Sequence, residues 1–123
     1  MRKLSVLLLL AALSAVAQAG AVISFKKTTH NFGTFAEDKT QTCVFEFSNT
    51  GDAPLIVTQV HASCGCTVAS FTQQELKPGE KGKVTVTYNG KGKPLEYFKR
   101  ALFVRSNASN SLVRLYIEGT MKK

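Results

Sequence analysis

Apolar and polar residues alternate along much of the chain after its first twenty positions, and this period of two predicts short β-strands. The clearest stretch is residues 43–48, in which Cys43, Phe45 and Phe47 share one phase, so Cys43 belongs to the face that turns inward. The same period recurs over residues 84–88, 98–104 and 113–117. No helical period follows the N-terminal segment, so the pattern predicts an all-β protein.

Turn-forming residues separate these stretches. Gly, Pro, Asn and Asp cluster at residues 49–54, 77–82 and 89–94, where they supply the positive φ angles and local caps that turns need. Residues 22–25 can form a first strand, Phe32 and Phe35 flank Gly33, and residues 55–60 are β-rich without a clear phase. About seven short strands in roughly 100 residues predict an immunoglobulin-like antiparallel β-sandwich.

The first nineteen residues have the pattern of a secretory signal peptide. A positive start at residues 1–3 precedes an apolar run at residues 4–16, and the small residues Ala17 and Ala19 frame a cleavage site. The apolar run is shorter than the ~20 residues of a membrane-spanning helix. We therefore expect cleavage after Ala19, a periplasmic or secreted location, a single domain over residues 20–123, and no transmembrane segment in the mature chain.

Cleavage after Ala19 would change the net charge of the protein. Residues 20–123 carry 14 Lys and Arg against 8 Asp and Glu, a net charge of +6. Much of the excess lies in one basic stretch, formed by Lys77, Lys81, Lys83, Lys91, Lys93, Lys99 and Arg100. Such a stretch can attract anionic surfaces, or it can be a solvated face that protects strand edges. Aromatic residues do not interleave with these lysines as stacking platforms would, so we expect no nucleic-acid partner.

Candidate chemistry is confined to the segment from His61 to Thr67, in which Cys64 and Cys66 flank Gly65. An exported protein meets an oxidising compartment, so cysteine pairing is expected, and three cysteines leave one over. Cys64 can pair with Cys66 through a tight turn that Gly65 would permit. Alternatively, Cys43 can pair with either of them as a structural staple. The sequence leaves these three pairings open.

A metal site is a sharper hypothesis for the same residues. The thiolates of Cys64 and Cys66 and the imidazole of His61, with Cys43 if it lies nearby, are ligand types that suit Cu or Zn. The spacing of the two cysteines is not that of zinc fingers. Alternatives for the pair are a thiol-redox role and a structural role, and no cofactor other than Cu or Zn is expected.

The sequence contains no readable catalytic constellation. Neither His30 nor His61 has a Ser, Asp or Glu at a spacing typical of a triad. A cysteine nucleophile with His61 as its base is disfavoured, because three residues at a strand end do not bring the two side chains into contact. Glycine-rich phosphate loops are also missing from the sequence. We therefore expect a protein that is not an enzyme.

Several short motifs together resemble a known family, the bacterial secreted domain of unknown function family fifteen seventy-three. The residues that carry the resemblance are Phe32, Gly33, Asn49, Gly51, Cys64, Gly65, Cys66, Thr67, Pro78 and Gly79. The resemblance implies an immunoglobulin-like fold similar to domains of the major sperm protein and PapD type. Cys43 and the pair His30 and Asn31 depart from the family's usual pattern. The anchoring basic pair of PapD has no match here, so its chaperone function is not carried over.

These observations favour an exported, non-enzymatic immunoglobulin-like module that binds a protein partner in the cell envelope. Binding by addition of a strand at a sheet edge is the expected mode, with Cys64 and Cys66 as a local clasp that orders their loop. The alternative is a periplasmic protein that binds Cu or Zn, or exchanges thiols, through Cys64 and Cys66.

Overall fold

The computed structural model describes residues 20–123 and places eight strands in two four-stranded sheets. In chain order the strands are β1 (Ile23–Phe25), β2 (Thr29–Ala36), β3 (Gln41–Asn49), β4 (Val57–Ala62), β5 (Thr67–Phe71), β6 (Lys81–Tyr88), β7 (Tyr97–Ser106) and β8 (Leu112–Lys122). One sheet has the order β1-β3-β6-β5 and the other β2-β8-β7-β4. The predicted signal peptide, residues 1–19, lies outside the described residues. No helix within residues 20–123 is long and apolar enough to cross a membrane.

The predicted immunoglobulin-like sandwich is confirmed, with two differences in detail. Eight strands are present rather than about seven, because residues 67–71 form a strand, β5, that the sequence pattern did not predict. The pair of β2 with β8 is parallel, whereas the other strand pairs are antiparallel. The chain crosses from one sheet to the other between these strands. β1 lies at the edge of the first sheet, and β2 lies at the edge of the second, where it runs beside the last strand, β8.

The core lies between the inner faces of the two sheets. Alternate residues of the central strands fill it, and the side chains with no exposed surface include Phe45, Val84, Val86, Leu102, Leu115 and Ile117. At one end an aromatic cluster closes the core, in which the rings of Tyr88 and Phe98 stack with centroids 4.2 Å apart and Phe35 meets both edge-on. The buried Tyr88 hydroxyl has no hydrogen-bond partner among the described residues, and burial raises the pKa of this group while Arg100 lowers it less.

Asn49 is a buried polar residue at the end of β3 that lies away from the aromatic cluster, and it makes several hydrogen bonds. Its Nδ2 donates hydrogen bonds to the carbonyl oxygens of Ala53 (2.7 Å) and Leu76 (3.0 Å). Its Oδ1 accepts from Gly51 N (3.0 Å) and Val22 N (3.4 Å). The side chain is 1% exposed, so these bonds offset the cost of burying an amide. Asn49 therefore ties the turn after β3 to the beginning of β1.

Other residues of the family motif also serve the architecture. A Cβ atom at Gly51 would overlap the backbone of residues 20–22, so this turn requires a residue without a side chain. Pro78 and Gly79 form the predicted type II turn: Gly79 has φ of +87°, and Glu80 N donates to Lys77 O (2.9 Å). Phe32 packs against the core, beside a register irregularity in β2 that contains Gly33.

Candidate functional site

The segment with the two neighbouring cysteines connects β4 and β5, which are edge strands of opposite sheets. Backbone hydrogen bonds fix it at both ends. Ser63 N donates to Ala101 O (3.1 Å), and Asn89 N donates to Cys66 O (2.9 Å). The turn is therefore held on one side by β7 and on the other by the residue that follows β6.

The Sγ atoms of Cys64 and Cys66 lie at bonding distance from one another, and the two Cα atoms are 5.3 Å apart. That Cα separation is within the range of protein disulfides. The turn is closed by a hydrogen bond from Thr67 N to Cys64 O (3.2 Å), and Cys66 N donates to Cys64 Sγ (3.2 Å). Of the three pairings that the sequence left open, the structure contains this one.

Gly65 has a different part in this turn from the one expected. Its φ angle is not among the positive ones of the described glycines, so the turn does not depend on the left-handed conformations that glycine permits. A Cβ atom at Gly65 would meet nothing within 4 Å. A side chain at position 65 would therefore project into open space.

Cys43 lies on the inner face of β3 and is free within the described part of the chain. It pairs in register with Val86 of β6, which places it two strands away from β5. Burial raises the pKa of the Cys43 thiol to about 11, and nearby Lys27 lowers it less. Because the thiolate is the nucleophilic and metal-binding form, Cys43 is inert at neutral pH.

His61 lies on β4 opposite Phe103, and its side chain is exposed. Together with Phe103 it lines an open hollow of about 370 Å³ on the outer face of its sheet. No three His, Cys, Asp or Glu side chains within residues 20–123 are grouped so that they could hold a metal ion. The structure therefore does not bring His61 together with Cys64 and Cys66 as a ligand set.

His30, the other histidine, lies on β2, remote in the sheet order from β4 and β5. Its Nδ1 is 2.7 Å from Lys27 Nζ. Partial burial, and then repulsion from Lys27, lower the pKa of His30. Both effects favour the neutral form of the imidazole.

An open hollow of about 410 Å³ lies beside Cys66 on the outer face of β5 and β6. Its lining residues are Gly65, Cys66, Val68, Thr87, Asn89, Lys91 and Lys93. Two of these are basic and none is acidic, so this hollow is positively charged. We call it the Cys66 hollow.

The outer edge of β5 has no strand beside it among residues 20–123. Cys66 O accepts from Asn89 N (2.9 Å) and Thr72 N donates to Lys83 O (3.0 Å), so the even-numbered residues bond to β6. Bonded and non-bonded positions alternate in an antiparallel ladder. The backbone groups of Ala69 and Phe71 therefore point outward.

The sequence pattern does not predict the strand β5. The alternation of apolar and polar residues is weak there, because the inward residues are Thr67, Ala69 and Phe71, whereas Val68 is 67% exposed. A half-buried strand usually has apolar residues on its inner face and polar residues on its outer face. In β5 a polar or small residue points inward and an apolar one points outward. The inward phase of Thr67, Ala69 and Phe71 is the one clue that the sequence offers.

Solved structures similar to this chain come from bacteria and animals. A protein of unknown function from Porphyromonas gingivalis W83 is 18% identical, with 85% of this chain and 48% of that chain covered and a TM-score of 0.72. This chain thus spans about half the length of the P. gingivalis protein. The PapD-like domain 7 of human CEP192 is 12% identical, with 82% and 85% covered and a TM-score of 0.64.

A third similar structure is that of the CsuC–CsuE chaperone–tip adhesion subunit pre-assembly complex from Csu pili of Acinetobacter baumannii. It is 14% identical, with 85% of this chain and 58% of that chain covered and a TM-score of 0.58. At such identities the likeness shows the fold alone, and it confirms the PapD-like character expected from the sequence. None of the curated protein sequences matches this chain.

The family assignment rests on the sequence itself. The model of the family described as "Protein of unknown function (DUF1573)" matches residues 23–121, which include the whole motif set from Phe32 to Gly79. The resemblance drawn from those motifs is therefore confirmed, and the chain belongs to this family.

Proposed function

We propose that this protein is an exported binding module that takes an extended segment of a partner protein onto the open edge of β5. The observation that carries the proposal is the character of this edge. Residues 67–71 contain no charged residue, no proline and no register irregularity. Natural proteins usually protect exposed edges with one of these features, so an edge without them favours strand addition.

The other three sheet edges are protected. β1 has three residues and is followed by Lys26 and Lys27. The pairing of β2 is irregular between Asn31 and Thr34, and that of β4 between Val57 and Gln59. Short length, adjacent lysines and bulges all hinder the addition of a further strand. β5 is therefore the one edge among residues 20–123 that is suited to a partner.

The charge around β5 favours a partner segment with acidic side chains. Lys91 and Lys93 line the Cys66 hollow at one end of the strand. At the other end, Lys83 lines a hollow of about 140 Å³ with Ser70 and Phe71. Outward side chains near either end of an added strand would lie beside these hollows, where carboxylates would be attracted. The net charge of +6 on residues 20–123 opposes pairing between two copies of this chain.

Two further observations support the proposal. The A. baumannii complex of similar fold contains a chaperone bound to an adhesion subunit, which is an example of protein binding by this architecture. The pattern of residues 1–19 supports export to the periplasm or beyond. The cysteine turn fits this function as a clasp, because it fixes the residue at which β5 begins.

The test uses a displayed library of ten-residue peptides and two matched variants. Val68→Glu places a negative charge on the outer face of the edge strand. Val44→Glu makes the same change on the outer face of central β3, where Val44 is 41% exposed. We expect enrichment of β-prone acidic peptides, binding weakened about tenfold by Val68→Glu, and little effect of Val44→Glu.

Ala69→Pro adds a backbone test, because it removes an outward N–H without breaking a bond to β6. It should abolish peptide binding, and the bound peptide should slow hydrogen exchange at the Ala69 and Phe71 amides of the unaltered protein. Equal binding by Val68→Glu and Val44→Glu would reject the proposal. A dimer detected by sedimentation and lost in Ala69→Pro would also reject it, in favour of self-association.

A further inference from the structure

The Cys64–Cys66 pair has the features of a reactive site rather than of a buried staple. Both cysteines are only partly buried, and Cys66 lines the Cys66 hollow. Gly65, which lies between them, contributes no side chain that could cover the pair, and a Cβ atom there would face open space. Access is one of the conditions for thiol–disulfide exchange.

The two sulfur atoms are not equivalent. Cys66 N donates a hydrogen bond to Cys64 Sγ (3.2 Å). A donor of this kind stabilises negative charge on the sulfur that it contacts. Cys64 is therefore the better leaving group, and Cys66, which is one of the residues that line the hollow, is the better target for an incoming thiolate.

The charge of the hollow selects the substrate. Lys91 and Lys93 line it, and no acidic side chain is among its lining residues. Attacking thiolates are negative, and carboxylates elsewhere on the same molecule would gain a further attraction. We propose that Cys64 and Cys66 form a thiol–disulfide exchange site for anionic thiols, with Cys66 as the attacked sulfur and Cys64 as the leaving thiolate.

The exchange is balanced in two steps. In the first, the substrate thiolate bonds to Cys66 Sγ, the Cys64–Cys66 bond breaks, and its electron pair leaves with Cys64. In the second, another thiolate of a dithiol substrate attacks the substrate sulfur of this mixed disulfide and releases Cys66 as a thiolate. The substrate loses two electrons and becomes a disulfide, while the protein becomes a dithiol that takes up the two protons. A disulfide substrate reverses both steps.

The proposal does not depend on strand addition at β5, because it rests on the sulfurs, the hydrogen bond and the lysines. The test uses the full chain and three small thiols: mercaptosuccinate, which is anionic, 2-mercaptoethanol, which is neutral, and cysteamine, which is cationic. Exchange rates are divided by the thiolate concentration of each reagent. We expect mercaptosuccinate to react about tenfold faster than cysteamine at low salt, and this preference to shrink at 1 M salt.

Two double variants locate the charge effect. Lys91→Gln with Lys93→Gln should remove most of the preference for mercaptosuccinate. The same change should slow 2-mercaptoethanol by a smaller factor, because that reagent carries only the charge of its thiolate. Lys77→Gln with Lys81→Gln changes the same number of charges near the other end of β6 and should leave the preference intact. Mass spectrometry of the trapped mixed disulfide should place the reagent on Cys66. An adduct on Cys64, equal rates for the three thiols, or no exchange at all would each overturn the proposal.

Discussion

Cys43 is the residue whose chemistry the fold changes most. The chain carries three cysteines, and position alone separates this one from the other two. Cys43 faces the core of a central strand, where its thiol is 7% exposed and packs as a small apolar group. Cys64 and Cys66 lie on a turn at the sheet edge, where solvent and other molecules reach them. The same residue type therefore serves packing in one place, and in the other it forms the partly exposed pair for which we propose exchange.

Burial of Cys43 predicts a loss of stability at alkaline pH. Its pKa in the folded protein is about 11, above the ordinary value of 9.0. Because the folded state holds this proton more tightly than the unfolded state, the protonated thiol stabilises the fold. This stabilisation is complete below pH 9 and is lost as pH rises toward 11. The loss amounts to about 2 kcal/mol. Urea unfolding of the wild type and of Cys43→Ala at several pH values measures it.

The difference in the free energy of unfolding between wild type and Cys43→Ala reports on the Cys43 thiol alone, because the lysines and tyrosines that titrate in this range are common to both proteins. We expect the free energy of unfolding of Cys43→Ala to be lower at pH 8, owing to the cavity, and to fall less steeply between pH 9 and 11. Parallel curves for the two proteins would contradict the buried position of the thiol.

Among the elements, the central strands had the clearest pattern, the edge strands β1 and β4 were predicted less clearly, and the edge strand β5 was missed. β3, β6, β7 and β8 each have one face in the core, so their apolar residues alternate cleanly. β5 lacks this contrast, because Thr67 points inward and Val68 outward. The unclear phase of residues 55–60 has its cause in the irregular pairing of β4 between Val57 and Gln59.

The candidate site was predicted by composition but not by geometry. The sequence singled out Cys64 and Cys66, and the structure joins them. The sequence also offered His61 as a third ligand, but a position on the neighbouring strand does not say where its side chain points. Lys91 and Lys93 are far along the chain from Cys66, and only the pairing of β5 with β6 brings them to the same hollow.

Two of the turns that contain motif glycines, those of Gly51 and Gly65, predict opposite responses to one substitution. Gly51→Ala should cost about 2 kcal/mol or more, because its Cβ overlaps the backbone of residues 20–22. Gly65→Ala should change stability by less than about 0.5 kcal/mol, because its Cβ meets nothing within 4 Å and its φ is ordinary. Urea unfolding of the two variants compares them directly.

If Gly51→Ala does not fold, its greater susceptibility to proteolysis in lysates gives the same ranking. A larger loss for Gly65→Ala than for Gly51→Ala would contradict both the close packing of the first turn and the openness of the second.

At the scale of the whole molecule, the candidate functions meet on one side of the sandwich. The open edge of β5 and the Cys66 hollow share Val68, which belongs to the strand and also lines the hollow. The opposite edge of the same sheet is the short strand β1, which is followed by lysines. A partner strand that lies along β5 would thus end beside Cys66. The two proposals remain separable, because one depends on backbone groups and the other on sulfur and charge.

The beginning of the described fold, at Gly20, also bears on the predicted cleavage site. Cleavage after Ala19 would make the Gly20 nitrogen the amino terminus of the mature chain. This nitrogen donates a hydrogen bond to Asp52 Oδ1, and Gly20 O accepts one from Asp52 N (2.9 Å). Ala21, the next residue, is 4% exposed. A protonated amine at Gly20 would convert the contact with Asp52 into an ion pair, so cleavage at this bond suits the packing of the fold.

We therefore expect protein recovered from the periplasm to have the mass of residues 20–123. Ala19→Arg removes the small residue that the cleavage site requires and should leave the precursor uncleaved. Asp52→Asn should destabilise the cleaved chain more than the uncleaved one, because only the cleaved chain carries a positive charge at Gly20. Urea unfolding of the four proteins measures this difference. A periplasmic form that retains residues 1–19, or an equal effect of Asp52→Asn on both chains, would contradict the assignment of the amino terminus to Gly20.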